Sequence, residues 1–372
     1  MEHSSPGQLI LTGVPDKQLD SETAAMFRRV QPGGFILFGR NIESAQQLRK
    51  LIDDLRDLSE IEPIITIDQE GGRVSRLRLI GQEPPNAQQL RDKGDPELIR
   101  RHGDITGRLL RLFGFNLDLC PVLDISFEDE ADNSLRGRCY GKTVEQVVRN
   151  AAAFNEGIRG QGVASCGKHF PGYSAATLDA HHDLPRIERT REQLDAEELA
   201  VFRAFCGNDA PAGQVDSMMI CHGWYPVFNA AKTPASLSQR VITDLLRSEL
   251  GFTGLVMTDD LDMGAILNEY SLEDTLRLTL EAGNDLAMIC HRVNEIENAH
   301  RILSSLPRSQ IDRGAESVAR FKENLVSPDE FSDARFAALN QEIWDLRVLT
   351  LGPEGAAQRS PEDGKRSPVE IY

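Results

Sequence analysis

Between Cys166 and Pro185 the sequence reads CGKHFPGYSAATLDAHHDLP, and this stretch gathers the side chains best suited to chemistry. An apolar run ends in Lys168 and His169, then opens into a segment rich in Gly, Ser, Ala and Asp that carries Asp179, His181, His182 and Asp183. Polar groups at the tip of a strand cost little burial and can converge on a ligand. Imidazoles beside carboxylates also suit proton transfer near neutral pH. His182 alone would pass for a solvated loop residue, but the whole assembly reads as a site.

Comparable groups recur at the ends of other apolar runs. Arg40 and Asn41 follow one, and Asp68, Gln69 and Glu70 another; Asp124, His222, and Asp259 with Asp260 follow three more. The runs rich in Val, Ile, Leu and Phe predict eight strands: Leu9 to Leu11, Phe35 to Phe38, Ile64 to Ile67, Leu117 to Pro121, Val163 to Cys166, Met218 to Cys221, Leu255 to Thr258 and Leu286 to Ile289. Each is followed by a polar link and a helix-period segment, the pattern of a parallel sheet built from βα units. Leu98, Ile105, Leu109 and Leu112 share one helical face, as do Val147, Ala151, Phe154 and Ile158. Ser238 is placed to cap the helix carrying Val241, Leu245 and Leu246, and Gly251 sits where a left-handed C-terminal cap is expected.

Eight strands alternating with about eight helices predict an α/β fold of the (β/α)8, or TIM, barrel type with C-terminal helices, because open doubly wound sheets more often have fewer strands. In such a barrel the strand-end groups would share one face, where active sites lie. The predicted layout is a catalytic barrel over residues 1–306 and helices packed on it over 307–351, roughly Gln310 to Asn324 and Asp329 to Arg347. A tail over 352–372 has the Pro, Gly, Ser and charge content of disorder.

A formal charge of -17 over 372 residues argues against nucleic acid or an anionic membrane as partner, since both need a basic footprint. The N-terminus lacks a basic segment followed by a long apolar one, and no uncharged run approaches the roughly 18 residues of a membrane span. A soluble, cytoplasmic protein is expected, with a monomer as the favoured state. The six cysteines contain no CxxC pair and read as buried free thiols, with neither a disulfide framework nor a zinc site.

Taken together, GGFILFGRNI (33–42), TIDQEGGRVSRL (66–77), CPVLDI (120–125), KHFPG with DAHHDLP, PASLS (234–238) and GFTGLVMTDDLDMGAI (251–266) resemble glycoside hydrolase family 3, specifically its bacterial single-domain β-N-acetylglucosaminidases of cell-wall recycling. The likeness spans about residues 8 to 325. It implies retaining hydrolysis of a terminal β-linked N-acetylglucosamine, with a small glycan or muropeptide as substrate and no organic cofactor or metal. Asp259 would be the nucleophile. Family members with an additional domain take their acid from it, whereas here the resemblance assigns the acid/base to His181, oriented by Asp179. Sugar hydroxyls would be held by Asp68, Arg76, Arg138, Lys168 and His169. Asp260 or Asp262 is expected to cap the following helix. Tyr173-Ser174 and Ala180 depart from the His-Gly and Ser usual in this loop.

Other readings share parts of this pattern. A phosphorylase or β-glucosidase of the same family would keep the fold, and a silent sugar-binding barrel would keep the pocket without turnover. A metal-dependent hydrolase using Asp68, His169, His222 and Asp259 is the bottom-up alternative, though no HxH pair at the first strand supports it.

Overall fold

The computed structural model describes residues 5–129, 134–176, 180, 182–207 and 210–360. Its centre is a ring of short strands whose residues are almost all buried: β1 (Ile10–Gly13), β2 (Gly34–Leu37) and β3 (Ile64–Ile67), then, after a small antiparallel hairpin of β4 (Gln69–Gly71) and β5 (Val74–Ser75), β6 (Leu117–Asp118), β7 (Ala164–Phe170), β8 (Ser217–Ile220), β9 (Leu255–Thr258) and β10 (Ala287–Ile289). The order β10-β1-β2-β3-β6-β7-β8-β9 is parallel throughout, and a single bridge between Met257 and Leu286 completes the ring. This is the expected (β/α)8 barrel.

Most strands fall within two residues of expectation, and two, β6 and β7, depart further for physical reasons. β6 stops at Asp118, short of Pro121, which has no N–H to offer the ladder; pairing resumes only as a bridge between Val122 and Lys168. β7 runs on past Cys166, so Lys168 and His169 lie inside the strand.

At the N-terminal rim, side chains cap the strand starts in alternation. Asn116, Asp216 and Asp285, each just ahead of its own strand, accept the N–H of Ile65, Ser165 and Val256 in the preceding strand of the ring, at 2.8, 2.9 and 2.9 Å. The corresponding place before β2 is Gly33, where an added Cβ would stand 2.0 Å from the carbonyl oxygen of Gln8.

The helices form the outer layer. Asp20 and Ser44 cap helices Ser21–Val30 and Ala45–Asp57 through their side-chain oxygens. Helices Pro96–Phe113 and Val144–Gly160 approach so closely that a Cβ on Gly103 would meet the Phe154 carbonyl oxygen at 2.3 Å. Ser238 accepts from Val241 N–H as expected, and Gly251 has φ +70°, but the helix Arg240–Glu249 is π-helical. All six cysteines are buried and free.

Helix Arg308–Lys322 crosses the barrel base, and helix Asp333–Ala356 lies on Pro96–Phe113, with Phe336 edge-on to Phe113. The latter turns sharply at Gly352 (φ +75°), ahead of Pro353. The expected tail does not begin at Gly352: Ala356 is buried, and the chain stays bonded to the barrel through Ser360. Residues 361–372 lie outside the described residues. No helix among the described residues is long and apolar enough to cross a membrane.

Candidate active site

β3 delivers Asp68 to the C-terminal rim, and the hairpin that follows places Glu70 two residues on, so both side chains leave the extended chain on the same side. β7 brings Lys168 against them, with Nζ 2.8 Å from Asp68 and 2.6 Å from Glu70. Arg138 donates to both Glu70 oxygens at 2.8 and 2.7 Å. Arg76, in the short 3-10 turn Arg76–Leu79, reaches Asp68 at 3.4 Å. Three cations thus interleave with two carboxylates, nearly all of them buried.

Such burial raises a lone carboxyl. For Asp68 the effect is overcome by Lys168 and Arg76, and for Glu70 by Arg138 and Lys168, so both are held below the usual carboxylate range. The same carboxylates hold Lys168 and Arg138 well above their ordinary values against the opposing effect of burial. Arg76 is lowered, because desolvation outweighs Asp68 there. Beneath the cluster, fully buried Asp118 accepts Gln69 N–H at 3.0 Å on one oxygen and has no hydrogen-bond partner on the other; burial pushes it up to about 8.

His169 lies beside this cluster. Its Nδ1 is 2.6 Å from Asp124 and its Nε2 is 3.4 Å from Arg138. A guanidinium can only donate, so Nε2 accepts and Nδ1 carries the proton toward Asp124. Asp124 also receives Tyr173 N–H at 2.6 Å. Tyr173 in turn accepts Ala180 N–H on its hydroxyl, while Ser174 accepts Ile125 N–H. Of the two departures, Ser174 thus ties the segment to the chain after β6 at Ile125, and the Tyr173 hydroxyl ties it internally to Ala180.

Asp259, directly after β9, faces the same cleft. Asp68, Arg76, Arg138, Lys168, His169 and Asp259 line it together, above a floor that includes Ile36, Leu119, Met219 and Met288. One Asp259 oxygen accepts Asp260 N–H at 2.8 Å. Asp260 does not cap a helix, nor does Asp262; helix Gly264–Leu267 has Met263 at its N-cap without a side-chain bond. Asp260 instead accepts Cys290 N–H, and Asp262 accepts the N–H groups of His291 and Arg292, tying this loop to the end of β10.

Arg138 lines the cleft, and Arg136 is half-buried. Asp179 and His181 lie outside the described residues. His182 is exposed. His222 is committed elsewhere, with Nδ1 on Ser236 and Nε2 on the Asp260 carbonyl, so it does not converge with Asp68, His169 and Asp259. Among the described residues no group of three His, Cys, Asp or Glu side chains is arranged to hold a metal ion.

The sequence marks Glu70 and Asp124 as strand-end groups without a sugar-binding role, and it does not single out one cleft residue, His291. The strand-end rule, extended to the last strand, would have found His291, which lines the cleft and contacts Asp260 at 3.2 Å.

Residues 4–321 match the family described as glycosyl hydrolase family 3 N terminal domain. The chain is similar to a β-hexosaminidase of Vibrio cholerae serotype O1 (strain M66-2), 34% identical over 326 residues, which cover 87% of this chain and 92% of the relative. A β-hexosaminidase of Alkalilimnicola ehrlichii is 33% identical, with 89% and 88% covered. Among solved structures, a family 3 β-N-acetylglucosaminidase from Paenibacillus superposes with a TM-score of 0.82 at 33% identity, covering 93% of this chain and 68% of that one. With the barrel, the cleft at its C-terminal rim and these likenesses together, the chain belongs to glycosyl hydrolase family 3.

Proposed function

We propose that the protein is a retaining exo-β-N-acetylhexosaminidase that removes terminal β-linked N-acetylglucosamine from peptidoglycan fragments in the cytoplasm. The names of its relatives support the sugar class. The observation that carries the mechanism is that Asp259 shares a floored cleft with the Asp68, Lys168, Arg138 and His169 cluster. A cleft with a closed floor suits the end of a glycan rather than its middle.

In this reading the barrel, residues 1–306, is the catalytic unit. The terminal sugar docks with its hydroxyls on Asp68, Arg76, Arg138, Lys168 and His169, with the ionised Asp68 as acceptor and the cations as donors. Asp259 attacks the anomeric carbon while His181, oriented by Asp179, protonates the departing oxygen. The resulting glycosyl-aspartate is cleaved when His181 takes a proton from the incoming water. Lys168, Arg76 and Arg138 are each already matched to a carboxylate, which suits hydroxyl recognition better than capture of a phosphate dianion.

The test is a panel of aryl β-glycosides differing only at carbon two, assayed with and without phosphate. The N-acetylglucosaminide should be cleaved best and independently of phosphate, and Asp259→Asn should lower its kcat on the order of 10^4-fold. Preference for the glucoside, or sugar 1-phosphate as product, would replace this reading by a β-glucosidase or a phosphorylase. Unchanged turnover in Asp259→Asn would remove the nucleophile.

A further inference from the structure

The family match ends at residue 321, yet the chain beyond it, besides packing on helix Pro96–Phe113, is fastened to residues 78–83 at the barrel rim. Asn340 accepts Gln82 N–H on its side-chain oxygen at 2.6 Å. Arg347, which is 2% exposed, donates to the Glu83 carbonyl at 2.8 Å and reaches its carboxylate at 3.4 Å. Ser360 donates to that carboxylate from its N–H and its hydroxyl, at 2.9 and 2.8 Å. Arg359 donates to the carbonyls of Arg78 and Gly81. The other Glu83 oxygen accepts from Arg78 at 3.0 Å.

Arg78 and Arg76 belong to the same 3-10 turn. Arg78 points outward to Glu83, and Arg76 points into the cleft toward Asp68. A helix needed only as cover would be served by its apolar face, in which Leu339, Ile343 and Leu346 are buried, and by its outer ion pair between Glu342 and Arg108. A buried carboxylate between two arginines adds little net stability once desolvation is counted, but it holds a geometry tightly.

We propose that residues 333–360 are a brace for the sugar pocket: Asn340, Arg347 and Ser360 hold residues 78–83, through Glu83 and Arg78, at the register that sets Arg76 against Asp68. These are positioning residues, acting through Arg76 and touching no substrate. The inference rests on the cleft being the sugar site.

Arg347→Met, with Asn340→Ala as a second variant should the first fail to fold, is measured at a temperature where each is fully folded. KM for the aryl N-acetylglucosaminide should rise about five- to tenfold with kcat within about twofold, since a displaced binding group weakens docking before chemistry. Asn340→Asp keeps the acceptor and should restore KM. Glu342→Gln, which cuts the outer ion pair of the same helix, should lower the thermal midpoint without moving KM. Amide hydrogen exchange across residues 76–83 should quicken in Arg347→Met but not in Glu342→Gln. The exchange measurement needs no substrate, so an inactive wild type would overturn the functional reading while leaving the brace testable. Unchanged KM and exchange in both brace variants, or an equal KM rise in Glu342→Gln, would overturn the brace.

Discussion

The two ends of the barrel use polar side chains in opposite ways. At the N-terminal rim Asn116, Asp216 and Asp285 spend an oxygen on a strand N–H, and Asp216 and Asp285 are further bound by Arg159 and Arg247. At the C-terminal rim Asp68, Glu70, Lys168, Arg76 and Arg138 are bound chiefly to one another and border an open cleft. A charge that satisfies backbone closes a sheet. Charges that satisfy each other around a void form a surface to which a polyhydroxylated ligand can add its own hydrogen bonds.

Breaking the upper cluster should have the largest effect. Glu70→Gln leaves Arg138 and Lys168 short of a buried countercharge, at a cost of about 3–5 kcal/mol in stability, and should lower kcat/KM at least about 100-fold. Urea unfolding and steady-state kinetics on one preparation would check both. At the lower rim, Asp285→Ala strands Val256 N–H and takes the carboxylate from Arg247, which keeps its bonds to the Phe252 and Gly254 carbonyls, so about 1–3 kcal/mol of stability should be lost while KM stays put. A KM change there would erase the contrast between the two ends.

The smallest effect concerns pH. Lys322 at the base is 9% exposed, with its ammonium on Gln8 at 2.8 Å; burial pushes it down to about 7, against the pull of Glu62. An unfolded lysine titrates near about 10.4, so between these values the unfolded chain holds a proton that the folded one has released. Stability should therefore rise with pH across that window, while below it the cost of the buried charge is present in full. Lys322→Met should flatten the rise, by at most about 1.4 kcal/mol per pH unit, read from urea midpoints between about pH 7.5 and 9.5. Parallel curves for the two proteins would place the titration elsewhere.

Much of the scaffold is legible one residue at a time. Ile64–Ile67 and Leu255–Thr258 are mainly apolar runs set between a Pro or Gly and an Asp, and they are strands with those limits. β7 was less legible, because Lys168 and His169 can sit inside a strand only where Asp68, Glu70 and Asp124 supply partners from distant segments. The same limit applies to Asp260 and Asp262. Asparagine-like capping is the local reading of an acid after a strand, whereas their actual partners come from the end of β10, some thirty residues on. Composition also misjudged the chain after Gly352. Pro, Gly and Ser there favour disorder, but Arg347 bonds the carbonyls of Ala356 and Gln358 and so returns the chain to the barrel.

The six cysteines found buried and free have a practical corollary. Burial pushes the thiols of Cys166, Cys206 and Cys221 up to about 12 and raises the others as well, so the folded protein presents almost no thiolate. Alkylating reagents and mild oxidants act on thiolate, and here they must wait for the chain to open. The sulfur atoms thus make the protein tolerant of air while intact, and turn each of them into a label that records the moment its own part of the interior comes apart.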